Sequence, residues 1–221
     1  MKKILEELQE EIVTVPAGKV RLEGNLVIPE GATGIVLFAH GSGSSRHSIR
    51  NRFVADELRE GNLGTLLFDL LSPEEESIDI RTTHLRFDIA LLAERLIFAL
   101  DWIAEHEETK DLRVGLFGSS TGAGAALVTA AQRPDLVQAV VSRGGRPDLA
   151  GSALNEVEAP TLLIVGGNDT QVIELNQQAM AQLHCEKKME TIPRATHLFE
   201  EPGALEEVAR LARDWFQQYL T

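Results

Sequence analysis

The 221-residue sequence is short of cysteine, of long hydrophobic runs and of positive charge, and each shortage closes off a class of function. Cys185 is the only cysteine. It permits no disulfide within the chain and no cysteine-based zinc site, and a lone thiol of this kind reads as an inert packing residue. The longest apolar stretches, such as residues 35–39 and 161–165, fall far below the ~18 residues of a membrane span, so no transmembrane helix is expected. With 21 Lys and Arg against 34 Asp and Glu, the formal charge is −13 and no basic stripe interrupts it. Such a surface repels polyanions, which excludes nucleic acid as an expected partner. The first ten residues turn acidic at Glu6 and Glu7 before an apolar leader core can form, and the expected location is cytoplasmic. No repeat, low-complexity tract or long linker divides the chain, so one domain is expected, acting as a monomer or homodimer. Glu74, Glu75 and Glu76 read as a solvated acidic loop within residues 71–84.

What is present is an alternation of strands and helices. Residues 11–15 and 20–27 alternate apolar and polar positions, as half-exposed strands do. Residues 34–39, 64–68, 114–117, 137–141 and 161–165 are continuous apolar runs, the pattern of strands buried on both faces of a parallel sheet. An edge-like run covers 186–192. Helical periodicity fills the gaps at 51–60, 87–105, 122–132, 172–183 and 204–220. The fold class is therefore α/β, a mostly parallel sheet of about seven to eight strands with helices on both faces. Ligands of such sheets bind beyond the carboxyl ends of the strands, which directs attention to the residues after each run.

Gly118-Ser119-Ser120-Thr121-Gly122 follows one buried run and opens an alanine-rich helix. A serine nucleophile needs a sharp turn that lifts its hydroxyl to solvent, and the crowding of that turn favours glycine two residues to either side. Its hydroxyl also needs a base, usually histidine. Of six histidines, His84 and His106 read as exposed, His184 follows a helix, and His40 and His47 precede the serine. His197 lies after the last strand and before the last helix, at the correct end of the sheet. Asp169 follows residues 161–165 and is the candidate acid, with Asp148 as the rival one strand earlier. The order Ser120, Asp169, His197 is the α/β-hydrolase order. Donors for a developing oxyanion are expected from the Thr121 N–H and from the loop His40-Gly41-Ser42-Gly43, with Ser42 first and Gly43 next. That loop lacks the third glycine of a dinucleotide fingerprint and the lysine of a P-loop. Arg143 can bind a substrate carboxylate or hold a structural one, with Asp69, Asp88 and Asp148 as candidates.

Taken together, the loop at 40–43, Asp69, the Ser120 elbow, Asp169 and His197 resemble the α/β-hydrolase superfamily, and the compact form resembles its dienelactone-hydrolase-like branch. The resemblance implies an α/β-hydrolase fold and a small ester substrate cleaved without metal or organic cofactor. Dienelactone hydrolases proper carry a cysteine nucleophile, whereas this elbow has Ser120, which favours general esterase chemistry. Residues 144–160 leave no room for a large cap domain, so an open site is expected, rimmed by residues 71–84 and 142–147.

Overall fold

The computed structural model describes residues 9–221, and the leader reading of the first residues lies largely outside that range. Eight strands form one sheet: β1 Glu11–Ala17, β2 Val20–Val27, β3 Gly34–Ala39, β4 Gly64–Phe68, β5 Arg113–Ser119, β6 Val137–Arg143, β7 Thr161–Gly166 and β8 Lys187–Ile192. Their order is β1-β2-β4-β3-β5-β6-β7-β8. The two alternating strands are the antiparallel ones, β1 on β2 and β2 on β4, and every other pairing is parallel. Pro16 sits within β1 without disturbing the ladder because β1 is an edge strand, where a missing N–H costs little. The central runs, β3, β4 and β7, are buried at every residue.

Among the described residues there are six α-helices, α1 Ile49–Glu60, α2 Pro73–Thr82, α3 Ile89–Glu105, α4 Thr121–Gln132, α5 Thr170–Gln182 and α6 Ala204–Leu220, and all but α2 pack on the sheet. Helices α1 and α6 pack Val54, Leu58, Val208, Ala212 and Phe216 on one face, against Phe38, Phe117 and Val141. On the other face α3 and α4 bring Leu96, Leu100, Ala126 and Leu127 onto Leu37, Leu116 and Val140. Burying a leucine of this kind contributes roughly 1.5–3 kcal/mol, so the two clusters hold the helices against the two faces of the sheet. Residues 144–160 form only a short 3-10 segment, Pro147–Glu156, kinked at Gly151, and among the described residues no cap domain stands over the sheet. Among the described residues no helix is long and apolar enough to cross a membrane.

Two expectations are corrected. The acidic stretch predicted as a solvated loop contains α2. Ser72 Oγ accepts from the Glu75 N–H at 3.2 Å while Glu75 accepts from the Ser72 N–H at 2.8 Å, a reciprocal capping box, with Pro73 behind it and three glutamates on the positive end of the helix. Glu75 also takes the buried Arg95 guanidinium at 2.7 Å, so it is a strut rather than a solvated charge. The second correction is His106, which is half-buried and stacks on Trp102 with ring centroids 4.5 Å apart.

Candidate active site

Ser120 is the single residue between β5 and α4, at φ 50° and ψ −122°. A side chain in this region costs of order 1–3 kcal/mol, and the surroundings enforce it. Its N–H donates to the Arg143 carbonyl at 3.4 Å, and its own carbonyl accepts from Arg146 at 2.9 Å and Ala123 at 3.1 Å. The flanking glycines are required by contact. A Cβ at Gly122 would stand 2.2 Å from the Ala39 carbonyl oxygen, and one at Gly118 would stand 2.4 Å from the Ala123 Cα. Thr121 is the first residue of α4, where an N–H has no acceptor within the helix.

The loop after β3 comes against the elbow. A Cβ on Gly41 would lie 3.0 Å from the Ser120 Cβ. A β-turn closed by Ser44 N–H to the Gly41 carbonyl at 3.2 Å puts Ser42 and Gly43 at its centre, with Gly43 at φ 68°. A positive φ at the third position of such a turn explains the glycine, and the two central N–H groups take no part in closing it.

His40 holds this loop. The Leu70 N–H donates to its Nε2 at 3.0 Å, which leaves the ring proton on Nδ1 to donate to the Gly41 carbonyl, also at 3.0 Å. Burial pushes its pKa down, against the pull of the Gly41 carbonyl, Asp69 and Glu76. The imidazole is therefore kept neutral in one tautomer. Sequence reasoning placed His40 near the site without this role, because its partner lies thirty residues away.

His197 and Asp169 meet, with Nδ1 and Oδ2 2.7 Å apart. The loops that carry them are stitched together. Gly167 N–H donates to Ile192 O at 2.8 Å, Asn168 N–H to Ala195 O at 2.9 Å, and the Asn168 amide to Arg194 O at 2.8 Å. Phe199, buried two residues after His197, anchors that loop in the core. The base loop also faces the elbow's neighbour, since a Cβ on Gly144 would lie 3.1 Å from the His197 carbonyl oxygen and 3.6 Å from its Nδ1. The rival acid is engaged elsewhere: Asp148 accepts both arms of Arg146, at 2.8 and 2.7 Å.

None of the three carboxylates considered for Arg143 reaches it. Asp69 pairs with Arg46, Asp148 with Arg146, and Asp88 caps α3 at the Leu91 N–H. Beside the glycine turn opens a cavity of about 460 Å³, whose lining includes Glu23, His40, Gly43, His47, Asp69 and Glu76. Arg46 also lines it, neutralised by Asp69 and Glu23, which leaves the cavity polar and acidic.

This sheet order, the strained serine between β5 and α4, and the Asp169–His197 pair beyond the strand ends define an α/β-hydrolase fold. The pattern of the dienelactone hydrolase family matches residues 65–220, and the chain belongs to that family. A crystal structure of a dienelactone hydrolase from Anabaena variabilis is 64% identical, covers 97% of this chain and 99% of its own, and superposes with a TM-score of 0.96. Est1E from Butyrivibrio proteoclasticus, at 14% identity, 94% and 98% coverage and a TM-score of 0.78, shares the fold. Two Mycobacterium tuberculosis proteins, from strains H37Rv and CDC 1551, are 59% identical over 213 residues and are named as candidate phosphoribosyl transferases. The match covers 96% of this chain but 47% of theirs, so the chain spans about half the length of these relatives. Family and fold together are those of hydrolases and support hydrolase chemistry in the broad sense.

Proposed function

We propose that the protein is a serine hydrolase that cleaves small carboxylic esters through an acyl-enzyme. The observation that carries this reading is the Asp169–His197 hydrogen bond of 2.7 Å on loops that face Gly144, one residue from the carbonyl that holds the Ser120 N–H. His197 takes the Ser120 proton as Oγ attacks the ester carbonyl. Asp169 keeps the proton of Nδ1 in place and stabilises the imidazolium that forms. The Thr121 and Ser42 amides donate to the oxyanion, where loss of one donor typically costs ~10²–10³ in rate. Collapse of the tetrahedral intermediate breaks the ester bond, and His197 passes its proton to the leaving alcohol. Water, deprotonated by the same imidazole, then releases the acid and restores Ser120. No metal or organic cofactor enters this scheme.

The phosphoribosyl transferase naming belongs to relatives about twice as long, and this reading gives hydrolase chemistry to the part this chain matches. Short-chain p-nitrophenyl esters offered to the wild type and to Ser120→Ala test the proposal. Turnover by the wild type alone is expected, and equal rates would remove Ser120 from the mechanism.

A further inference from the structure

Two adjoining spaces flank the turn at Ser42 and Gly43. The cavity of about 460 Å³ shares His40, Gly43, Leu71 and Glu76 with a narrower recess of about 10 Å³, which has room for one water-sized group. The recess reaches Ser42 and Thr121, whose amides are the proposed oxyanion donors. Thr121 is 2% exposed, yet its Oγ1 is enclosed without any hydrogen-bond partner. A buried hydroxyl in that state has lost its hydration with nothing in return, and a ligand that hydrogen-bonds it recovers the loss.

Of the three glutamates that open α2, Glu74 accepts from the Ser72 hydroxyl at 3.0 Å, and Glu75 closes the capping box and holds Arg95. Glu76 lines both spaces and has no side-chain partner among the described residues. It stands close enough to His40 to oppose the fall in that imidazole's pKa. In the wider cavity Glu23 and Asp69 share a single cation, Arg46, so this wall stays negative after pairing. Arg86 also lines the recess, but the buried Asp79 takes its Nε, and its Nη2 donates to the Asp79 carbonyl at 3.2 Å, so its charge is already matched. An unpaired carboxylate and an unpaired hydroxyl oxygen therefore face a group that donates hydrogen bonds. No wall residue comes from 142–147 or 193–199, the segments beside His197. The leaving alcohol has to lie within reach of His197, so what enters here is the acyl half of the ester.

We propose that the recess binds a primary ammonium at the end of the acyl chain, so that the substrates are esters of amino-substituted carboxylic acids. Glu76 supplies the countercharge and Thr121 Oγ1 accepts one N–H. A primary ammonium is a compact charge with three donors, which matches a space for one water-sized group. A trimethylammonium group carries the same charge but is too large and donates nothing. The inference rests on the esterase reading, and its test separates the two.

The comparison is p-nitrophenyl 6-aminohexanoate against p-nitrophenyl heptanoate, esters of equal length in which an ammonium replaces a methyl group. The wild type is expected to prefer the charged ester by about tenfold or more in kcat/KM, the order of one charge-assisted hydrogen bond. Glu76→Gln should bring the ratio to about one. Thr121→Val, which keeps the shape and the backbone N–H, should leave an intermediate ratio, and it carries the comparison if the glutamine variant does not fold. Glu158 is exposed and precedes β7 at the opposite end of the sheet. Glu158→Gln should leave the ratio unchanged, which separates a local site from the field of the whole acidic surface. The trimethylammonium analogue of the charged ester should lose the preference. Calorimetric titration of Ser120→Ala with 6-aminohexanamide reads binding without turnover. Glu76-dependent binding in a protein that hydrolyses neither ester would defeat the esterase reading and keep this one. A wild-type ratio near one, an unchanged ratio in Glu76→Gln, an equal fall in Glu158→Gln, full preference for the trimethylammonium ester, or no binding of the amide would overturn it.

Discussion

Replacing Ser120 by glycine should make the protein more stable than replacing it by alanine, although both variants lose activity. At φ 50° and ψ −122° the residue occupies a region that only glycine enters freely. Alanine keeps the Cβ and with it a strain of about 1–2 kcal/mol, the lower part of the range for such outliers. Glycine removes that strain but adds about 0.4–1 kcal/mol of unfolded-chain entropy. Ser120 also forms no side-chain cap to α4, so both substitutions forfeit the same hydroxyl and no hydrogen bond. The difference comes to about 1 kcal/mol in favour of glycine, or about 2–4 °C in Tm for a chain of this size. Calorimetric melting of the two variants side by side measures it. An alanine variant as stable as the glycine one would refute the claim that the serine is held in a strained elbow.

Asp169→Asn should lower kcat by about 10⁴ with little change in melting temperature, as loss of the orienting acid does in other triads, and steady-state kinetics with a p-nitrophenyl ester reads it. Gly122→Ala should abolish activity and lower Tm, because the new Cβ meets two backbone carbonyl oxygens at 2.2 and 2.6 Å; melting and turnover both report it. His40→Gln can place an acceptor where Nε2 receives the Leu70 N–H, whereas His40→Asn is too short to reach it, so kcat should fall less in the glutamine variant while KM stays similar in both. Asp79 is buried and would have its pKa raised by that burial, but hydrogen bonds from the Arg86 side chain and backbone and from the Leu85 N–H hold it below the ordinary range. A depressed carboxyl pKa contributes stability that is complete above the unfolded value of about 3.9 and fades as pH falls through the lower folded value. Asp79→Asn should therefore cost about 3 kcal/mol at pH 7 and progressively less below pH ~4, as urea unfolding at several pH values would show.

Most of the sheet could be read from the chain because its strands have two distinct patterns. Continuous runs such as residues 34–39 and 161–165 are parallel strands covered on both faces, and the alternating pair β1 and β2 is the antiparallel edge. The positions of Ser120, Asp169 and His197 were legible for the same reason, since each follows a strand end. Helix α2 was missed although Ser72, Pro73 and Glu75 carry a start signal, because three adjacent glutamates and little apolar periodicity masked it. The His40 clamp and the Arg46 pairs with Glu23 and Asp69 depend on partners 23 to 30 residues away, which local pattern does not encode. Arg143 was ambiguous in the sequence because its surroundings are set by where three carboxylates turn elsewhere.

The central claim is that Ser120 is an activated nucleophile, and labelling with a fluorophosphonate followed by peptide mapping tests it most directly. One adduct is predicted, on the peptide containing Ser120, forming far more slowly in His197→Ala and absent in Ser120→Ala. An adduct on another residue, or a wild type that reacts no faster than Ser120→Ala, would contradict the account.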